Sequence, residues 1–278
     1  MKEIFKKMQT IKIPPQNNET DFVLSVKNVS YEIENIKLIH DITLDIPKES
    51  FVGIIGPNGS GKSTLLKTIY CAHQANEGCI YLNGHEMNHI SNKEIARLMA
   101  VVSQENAIQF DFSVMEIMMI GRYANRSFLS KNASDDLKIC EEALASVGML
   151  EFKNRSFLSL SGGEKQKVLI ASAFSRKPEL IVMDEPTNHL DVGYQFLILD
   201  LMKNQKDMTI FTSIHDMNMA MQYCDEIIAI KDGKIYCVGT PREVLTPENL
   251  KELFHVNAEI LEISGQMPYI RYVGASLK

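Results

Sequence analysis

Apolar residues gather in short β-branched runs that alternate with stretches of helical periodicity. The run SFVGIIG, residues 50–56, has the length and composition of a buried parallel strand. In STLLKTIYCA, residues 63–72, the apolar positions recur at helical spacing. A second strand-like run, ELIVMDEP at residues 179–186, ends in two acidic residues. Buried parallel strands joined by helices predict an α/β fold.

The pattern between these two runs predicts a strand, a tight turn and a new helix. In CIYLNG, residues 79–84, apolar and polar positions alternate as in a strand, and the NG pair is a strong turn signal. The sequence SNKE, residues 91–94, is a capping box, which marks a helix start. Apolar positions at helical spacing predict that this helix continues. These positions are Ile95, Leu98, Met99 and Val102.

Two short motifs in the chain indicate different chemistry. HEMNH, residues 85–89, matches the H-E-x-x-H pattern of zinc metalloproteases. GPNGSGKST, residues 56–64, matches the phosphate-binding G-x-x-x-x-G-K-[ST] pattern. Both patterns are short enough to arise by chance, so their structural context has to decide between them.

The zinc motif lacks the helix on which it depends. Two histidines four residues apart hold one metal ion only when a helix brings them to one face. HEMNH instead lies between the predicted turn and the helix start at Ser91, and a third ligand at the usual spacing is missing. We therefore expect a solvated loop in which His85 and His89 are exposed.

The phosphate-binding motif has the context that it requires, namely a strand, a glycine loop and a helix. Gly56, Gly59 and Gly61 allow the backbone to curl so that successive N–H groups face phosphate oxygens, and the helix dipole favours the same anion. Lys62 would bridge the β- and γ-phosphates, and Ser63 would bind Mg²⁺. The sequence therefore predicts a nucleoside triphosphate site and not a zinc protease.

Two further segments complete this predicted site. Asp184 at the end of its strand would orient Mg²⁺ through the water shell of the ion, and Glu185 would act as general base on the attacking water. In LSGGEKQ, residues 160–166, Ser161 and Glu164 form a capping box at a helix start that also carries two glycines. Such a helix start is an anion site, and we expect the phosphate there to come from another subunit.

Composition and charge narrow the class of protein. Of the 278 residues, 45% are hydrophobic and 23% are charged, which is typical of a soluble globular protein. The formal net charge of −6 argues against nucleic acid as a partner. No apolar run reaches the roughly 18 residues that span a bilayer, and no signal peptide is evident. Without a C-x-x-C pair, the cysteines are expected to be reduced and buried in a cytosolic protein.

LSGGEKQ resembles the signature motif of ABC-type ATPases. The other motifs of that family follow in its order: GPNGSGKST, Gln104, the signature, LIVMDEP, NHLD at residues 188–191, and His215. The resemblance implies a P-loop NTPase fold, with a RecA-like core, an antiparallel β subdomain and an inserted helical subdomain. The implied boundaries are an N-terminal extension 1–20 and an ATPase domain 21–278, which divides into a core at 21–104 and 163–240, a helical subdomain at 105–162 and a C-terminal segment at 241–278.

The resemblance also implies roles for individual residues. Glu185, His215 and Gln104 would be catalytic, and Ser63, Gln104 and Asp184 would hold Mg²⁺. Asp191 would cross the interface of a head-to-tail homodimer in which each ATP lies between one P-loop and the signature of the partner. The implied nucleotide-binding residues are Tyr31, Gly56, Pro57, Asn58, Gly59, Ser60, Gly61, Lys62, Ser63, Thr64, Ser161, Gly162, Gly163 and Asp191. Tyr31 would stack on adenine, although its spacing from the P-loop also allows Ile33 or a neighbour in that position.

Within this family, FDFSVMEIMMIGRYAN, residues 110–125, and HDMNMA, residues 215–220, are similar to segments of importer ATPases for ferric siderophores, haem and cobalamin. The similarity implies transmembrane permease subunits, an extracytoplasmic substrate-binding protein and a location on the cytoplasmic face of the membrane. The alternative is a soluble ABC-type ATPase in cofactor assembly or another non-transport role. One apolar cluster would form either the groove for a permease helix or the core of the helical subdomain. Its members are Phe110, Phe112, Met115 and Met118.

Overall fold

The structure is a computed structural model that describes residues 21–103, 110–125, 133–188, 190–205 and 207–276. The predicted N-terminal extension 1–20 and Gln104 therefore lie outside the described residues. The strands are β1 Phe22–Ile33, β2 Ile36–Pro47, β3 Phe51–Ile55, β4 Glu77–Leu82, β5 His85–Glu86, β6 Met99–Val102, β7 Leu180–Met183, β8 Thr209–Ser213, β9 Glu226–Lys231, β10 Lys234–Gly239, β11 Val256–Leu261 and β12 Tyr269–Ala275. The α-helices are α1 Lys62–Ile69, α2 Asn92–Leu98, α3 Val114–Gly121, α4 Ala133–Ser146, α5 Gly162–Ser175, α6 Val192–Lys203, α7 Met217–Tyr223, α8 Pro241–Val244 and α9 Pro247–Phe254.

The main sheet has the strand order β10-β9-β3-β8-β7-β6. Strands β9, β3, β8, β7 and β6 run parallel, and β10 joins the edge as the antiparallel partner of β9. The residues of β3, β7 and β8 are all buried, as expected for central strands with both faces covered. A second, antiparallel sheet has the order β2-β1-β4-β5. The predicted α/β fold with an antiparallel β portion is confirmed.

Helices α3 and α4 share a hydrophobic core of their own with part of α5. Within it Met118 is fully buried, and Phe112 and Met115 pack against it while partly exposed. Phe110 behaves differently, since 73% of it is exposed. The two alternatives for this apolar cluster therefore apply to different residues. Met118 belongs to the core of the helical subdomain, whereas Phe110 is on the surface, where a permease helix could contact it.

The helix that begins after Ser91 is shorter than the apolar spacing predicted. Ser91 Oγ accepts a hydrogen bond from Glu94 N at 3.2 Å, so the predicted N-cap is confirmed. The helix ends at Leu98, however, and Met99–Val102 forms strand β6, which pairs in parallel with β7. The prediction that Met99 and Val102 continue the helix is wrong, because this segment, which ends in two β-branched valines, pairs with β7 at the sheet edge.

The HEMNH sequence is divided between a strand and a 3-10 helix. Asn83 and Gly84 have φ angles of 49° and 75°, as the two left-handed positions of a tight hairpin turn require. This turn pairs His85, in β5, with Leu82, in β4. Met87–His89 forms the 3-10 helix, and Met87 is buried. The expectation of a loop with two exposed histidines is wrong for His85, which is half-buried. Since no α-helix carries the motif, the two histidines lack the shared face that a zinc protease requires.

Removing these histidines is expected to leave the function of the protein intact. In His89→Ala, an exposed site, the free energy of unfolding should change by less than about 0.5 kcal/mol, and ATPase activity should be unchanged in both His85→Ala and His89→Ala. Met87→Ala provides the contrast, because truncating a buried methionine costs about 2–5 kcal/mol. Denaturant unfolding and metal analysis check this, and one equivalent of zinc that is lost in the histidine variants would contradict it.

The cysteines are free thiols, but they are not uniformly buried. Cys140 and Cys224 are buried, whereas Cys71 is exposed. Burial raises the pKa of the Cys224 and Cys237 thiols. Expected burial is therefore wrong for Cys71, which follows α1 in the left-handed conformation at φ 62°. In the described part of the chain, no helix is long and apolar enough to cross a membrane.

Candidate active site

The loop between β3 and α1 has the curled, glycine-rich backbone that the predicted phosphate cradle requires. Gly59 and Gly61 adopt φ angles of 77° and 102°, which disfavour any residue with a side chain. A Cβ at Gly61 would also lie 3.0 Å from the Leu38 carbonyl oxygen of the neighbouring β2 strand. Gly61 is the N-cap of α1 and has no side chain to cap it, so the N–H groups of the first turn are open to an anion.

Lys62 is held at the base of this loop. It is only 6% exposed, and its Nζ donates hydrogen bonds to the carbonyl oxygens of Gly56 at 2.8 Å and Pro57 at 3.0 Å. Burial lowers the pKa of Lys62, and the nearby carboxylates of Glu185 and Asp184 oppose that shift. The cavity in front of it has a volume of about 240 Å³. It is lined by Leu38, Asn58, Gly59, Ser60, Gly61, Lys62, Ser63, Thr64 and Glu185.

Asp184 and Glu185 follow β7 at the carboxyl edge of the sheet, and Ser213 at the end of β8 connects them. The Ser213 hydroxyl donates to Asp184 Oδ1 at 2.9 Å and accepts from the Glu185 amide at 2.7 Å. Asp184 is buried, and it lines a second cavity of about 300 Å³ together with Ser63 and Ser103. The predicted hydroxyl of Ser63 and carboxylate of Asp184 therefore line the same cavity.

Glu185 is in direct contact with His215, another of the predicted catalytic residues. Its Oε1 contacts His215 Nε2, and its Oε2 accepts a hydrogen bond from Asn188 Nδ2 at 2.8 Å. Burial raises the pKa of Glu185, but the hydrogen bonds from His215 and Asn188 and the charges of His215 and Lys62 outweigh burial and hold it below its usual range. Glu185 is thus ionised at neutral pH, as a general base must be.

Helix α5, called the signature helix below, begins with the predicted capping box. Ser161 Oγ accepts from Glu164 N at 3.3 Å, and Glu164 Oε2 accepts from Ser161 N at 2.8 Å. Hydrogen bonds to its carboxylate from the main chain and the side chain of Ser161 lower the pKa of Glu164. Neither Ser161 nor Gly162 lines the two phosphate-side cavities, and both are exposed. This helix start is thus presented to the outside of the molecule.

The structure places Asp191 next to the signature helix. Asp191 is exposed at the N-cap of α6, and the preceding Leu190 packs on the signature helix, where a Cβ at Gly163 would lie 3.3 Å from Leu190 Cδ2. Lys167 of the same helix lies 3.6 Å from the ring centroid of Tyr194, on the first turn of α6. The two segments predicted to act across a dimer interface are therefore packed against each other.

Tyr31 does not line the cavity in front of Lys62. Its ring stacks on His73, with centroids 4.7 Å apart and planes 9° from parallel. Ile33, the position left open by the sequence, is 52% exposed at the end of β1. Leu38 lines the phosphate cavity from β2. A role for Tyr31 in stacking on adenine remains a prediction, and Gln104 lies outside the described residues.

Sequence reasoning missed Ser213 and Asn188. Both are short polar side chains in segments already singled out, Ser213 two residues before His215 and Asn188 three residues after Glu185. The bond of Ser213 to Asp184 joins the ends of neighbouring strands, which local spacing does not reveal, whereas Asn188 contacts Glu185 within the same loop. The polar residue at the end of β8 was the available signal, because parallel strands present their carboxyl ends at one edge.

Comparison with known proteins places this arrangement in a family. Residues 39–188 match the family model described as ABC transporter. The iron(3+)-hydroxamate import ATP-binding protein FhuC of Bacillus subtilis is 37% identical over 81% of this chain and 84% of its own length. The ferric enterobactin transport ATP-binding protein FepC of Escherichia coli is 31% identical over 80% of this chain and 83% of its own. The cobalamin import ATP-binding protein BtuD of Halobacterium salinarum is 31% identical over 85% of this chain but only 60% of its own length.

Solved structures agree with these relatives. A chain from an ABC transporter assigned to the metal-chelate type, in an inward-facing conformation, is 26% identical, with a TM-score of 0.76 over 91% of this chain and 98% of that one. A dimeric ATP-binding cassette in a post-hydrolysis state with ADP and Pi is 29% identical, with a TM-score of 0.70 over 79% of this chain and 99% of that one. With a glycine loop before a helix, an ionised carboxylate beside that loop and a family match across more than half of its length, the chain belongs to the ABC transporter family as an ATP-binding, ATP-hydrolysing domain.

Proposed function

We propose that the chain powers a membrane importer for a ferric siderophore, haem or cobalamin. The observation that carries this proposal is the similarity, over 80% or more of the chain, to ATP-binding proteins named for iron(3+)-hydroxamate, ferric enterobactin and cobalamin import. The segments at residues 110–125 and 215–220, which resemble importer ATPases, support the same proposal.

The described residues support a separate role for each group in ATP hydrolysis. The N–H groups of the loop and the ammonium group of Lys62 bind the β- and γ-phosphates of ATP and stabilise the negative charge that develops during transfer. Glu185 accepts the proton of the attacking water, because its lowered pKa keeps it ionised. His215 holds Glu185 and the γ-phosphate in register from its place beside Glu185 Oε1.

Mg²⁺ is part of the proposal, with Ser63, Asp184 and Gln104 as the residues that would hold it. Ser63 and Asp184 line one cavity and offer hydroxyl and carboxylate oxygens, which are the donors that Mg²⁺ prefers. The Ser213 hydroxyl fixes Asp184 Oδ1 in place for such a role. When bound, the ion would neutralise charge on the phosphate oxygens.

We infer that two copies of the chain close on ATP as a head-to-tail dimer. A Cβ at Gly162 would meet no atom within 4 Å, so packing inside the chain does not require this glycine. Close approach of a phosphate to the exposed helix start does require a glycine at position 162. The Ser161 hydroxyl accepts the capping bond from Glu164 N, and its proton would turn from the Glu164 carboxylate to a γ-phosphate oxygen of the second copy. Asp191 would then reach across the same interface.

The proposed partners beyond the dimer are transmembrane permease subunits and, through them, an extracytoplasmic substrate-binding protein. The chain would lie on the cytoplasmic face of the membrane. Exposed apolar side chains on and beside the helical layer, Phe110, Ile120 and Tyr123, provide a surface for the permease. Under the alternative, a soluble ATPase in cofactor assembly or another non-transport role, no permease would bind.

Uptake in the source organism tests this proposal. Deletion of the gene should reduce uptake of one of three labelled compounds, a ferric siderophore, haem or cobalamin, to the level of passive entry. Wild-type protein should restore that uptake, and the Glu185→Gln variant should not, because it binds ATP without hydrolysing it. Unchanged uptake of all three compounds in the deletion strain, with no membrane protein co-purifying with the chain, would favour the soluble alternative.

A further inference from the structure

We propose that Asn218 and the C-terminal hairpin formed by β11 and β12 are positioning elements for His215. The inference rests on the role proposed above for His215 at the γ-phosphate. It also gives a task to two features that the nucleotide site leaves without one, namely the asparagine of the HDMNMA sequence and the C-terminal segment that follows β10.

His215 needs support from its neighbours because its own side chain is not packed into the core. Its side chain is 47% exposed, and it lies in the three-residue connection between β8 and α7. On the strand side, the connection is anchored by the Ile214 amide, which donates to the Ile54 carbonyl at 3.1 Å. On the other side, the position of the ring depends on how the first turn of α7 is held.

Asp216 and Asn218 hold that first turn in two different ways. Asp216 Oδ1 accepts from the amides of Asn218 at 2.8 Å and Met219 at 3.1 Å, which caps the helix from within. The Asn218 side chain is directed away to β12, where Nδ2 donates to the Ile270 carbonyl at 3.2 Å and Oδ1 accepts from the Ile270 amide at 2.7 Å. Two bonds to the main chain of one residue fix both the distance and the rotation of the helix relative to the strand.

The hairpin packs closely against α7 at Ile270, but it does not do so next to this residue. Ile270 is fully buried in the same hydrophobic cluster as Met217, and Tyr272 interacts with Asp216 and with the main chain of Met217. Next to this contact, a cavity of about 550 Å³ opens between the hairpin and helices α6 and α7. The hydrogen bonds of the Asn218 side chain therefore align α7 with β12 on the side where the cavity leaves them without close packing.

The experiment compares Asn218→Ala with a matched variant, Asn249→Ala. Asn249 also donates to a main-chain carbonyl in the C-terminal segment, that of Val244 at 2.9 Å, but it does not hold the His215 connection. We expect Asn218→Ala to lower kcat for ATP hydrolysis about 10- to 100-fold, the scale of a misplaced catalytic contact, with KM for ATP near wild type. Asn249→Ala should keep both constants near wild type.

A double-mutant cycle separates positioning from a general structural role. If Asn218 acts through His215, then Asn218→Ala should have no further effect on single-turnover hydrolysis in a His215→Ala background. An equal loss of rate in both backgrounds, or an unchanged kcat in the single variant, would overturn the inference. Wild-type turnover in His215→Ala would instead overturn the proposed role of His215. Should Asn218→Ala fail to fold, Asn218→Asp replaces it, since it keeps the side-chain volume and the bond from the Ile270 amide while losing the donor.

Discussion

Glu185→Gln is expected to bind ATP and to lose turnover by about 10²–10⁴-fold, the usual contribution of a general base. Glutamine keeps the size of the side chain and can still bond to Asn188 and His215, but it cannot accept the proton of the attacking water. Lys62 and the loop amides remain in place, so affinity for ATP should be retained. Steady-state hydrolysis and equilibrium nucleotide binding, measured on the same preparation, check both halves of this expectation.

Glu226→Gln is the matched control for this variant. Glu226 is also a partly buried acid, and burial raises its pKa. It is the first residue of β9, so it lies at the amino ends of the parallel strands, away from the phosphate loop. Its turnover should stay near wild type. Full activity in Glu185→Gln would mean that another group accepts the proton, and the assignment of the base would be wrong.

Lys62→Ala should lower the rate of ATP hydrolysis by about 10²–10³-fold, because it removes a fixed positive charge from the developing phosphate charge. The free protein should not unfold as a result. The buried ammonium costs desolvation energy, and its loss leaves only the carbonyls of Gly56 and Pro57 to find other donors. Hydrolysis rates and thermal unfolding of the variant measure the two effects separately.

Lys48→Ala serves as the control for loss of one positive charge, since Lys48 is exposed beyond the end of β2. It should match wild type in both assays. If Lys62→Ala hydrolysed ATP at the rate of wild type, the phosphate loop would not be the nucleotide site, and the family assignment would no longer explain the activity.

The parts of the site that local sequence determines were predictable. Gly59 and Gly61 require left-handed backbone, Ser161 and Glu164 close a capping box within one turn, and Asp184 follows an unbroken apolar strand. Each of these features depends on residues that are near neighbours in the chain. Short-range geometry and burial patterns are therefore sufficient to find them.

Contacts between distant segments were not predictable in the same way. The Ser213 hydroxyl reaches Asp184 across 29 positions in the sequence, and nothing in the spacing of either residue indicates the bond. Met99–Val102 satisfies helical spacing and β-branching together, so only its pairing with β7 decides that it is a strand. The stacking of Tyr31 on His73 likewise depends on how β1 packs against the end of α1.

The central claim is that ATP binds between the phosphate loop of one copy and the signature helix of a second copy. The mass of the Glu185→Gln protein in solution tests this claim most directly. Size-exclusion chromatography with light scattering should give the mass of a dimer with ATP and Mg²⁺, and of a monomer without nucleotide. Adding Ser161→Arg should return the mass to that of a monomer, because the bulky side chain fills the space that a γ-phosphate needs at the exposed helix start. A nucleotide-dependent dimer that persists in the Glu185→Gln, Ser161→Arg protein would contradict the account, as would a Glu185→Gln protein that stays monomeric even with its permease in detergent.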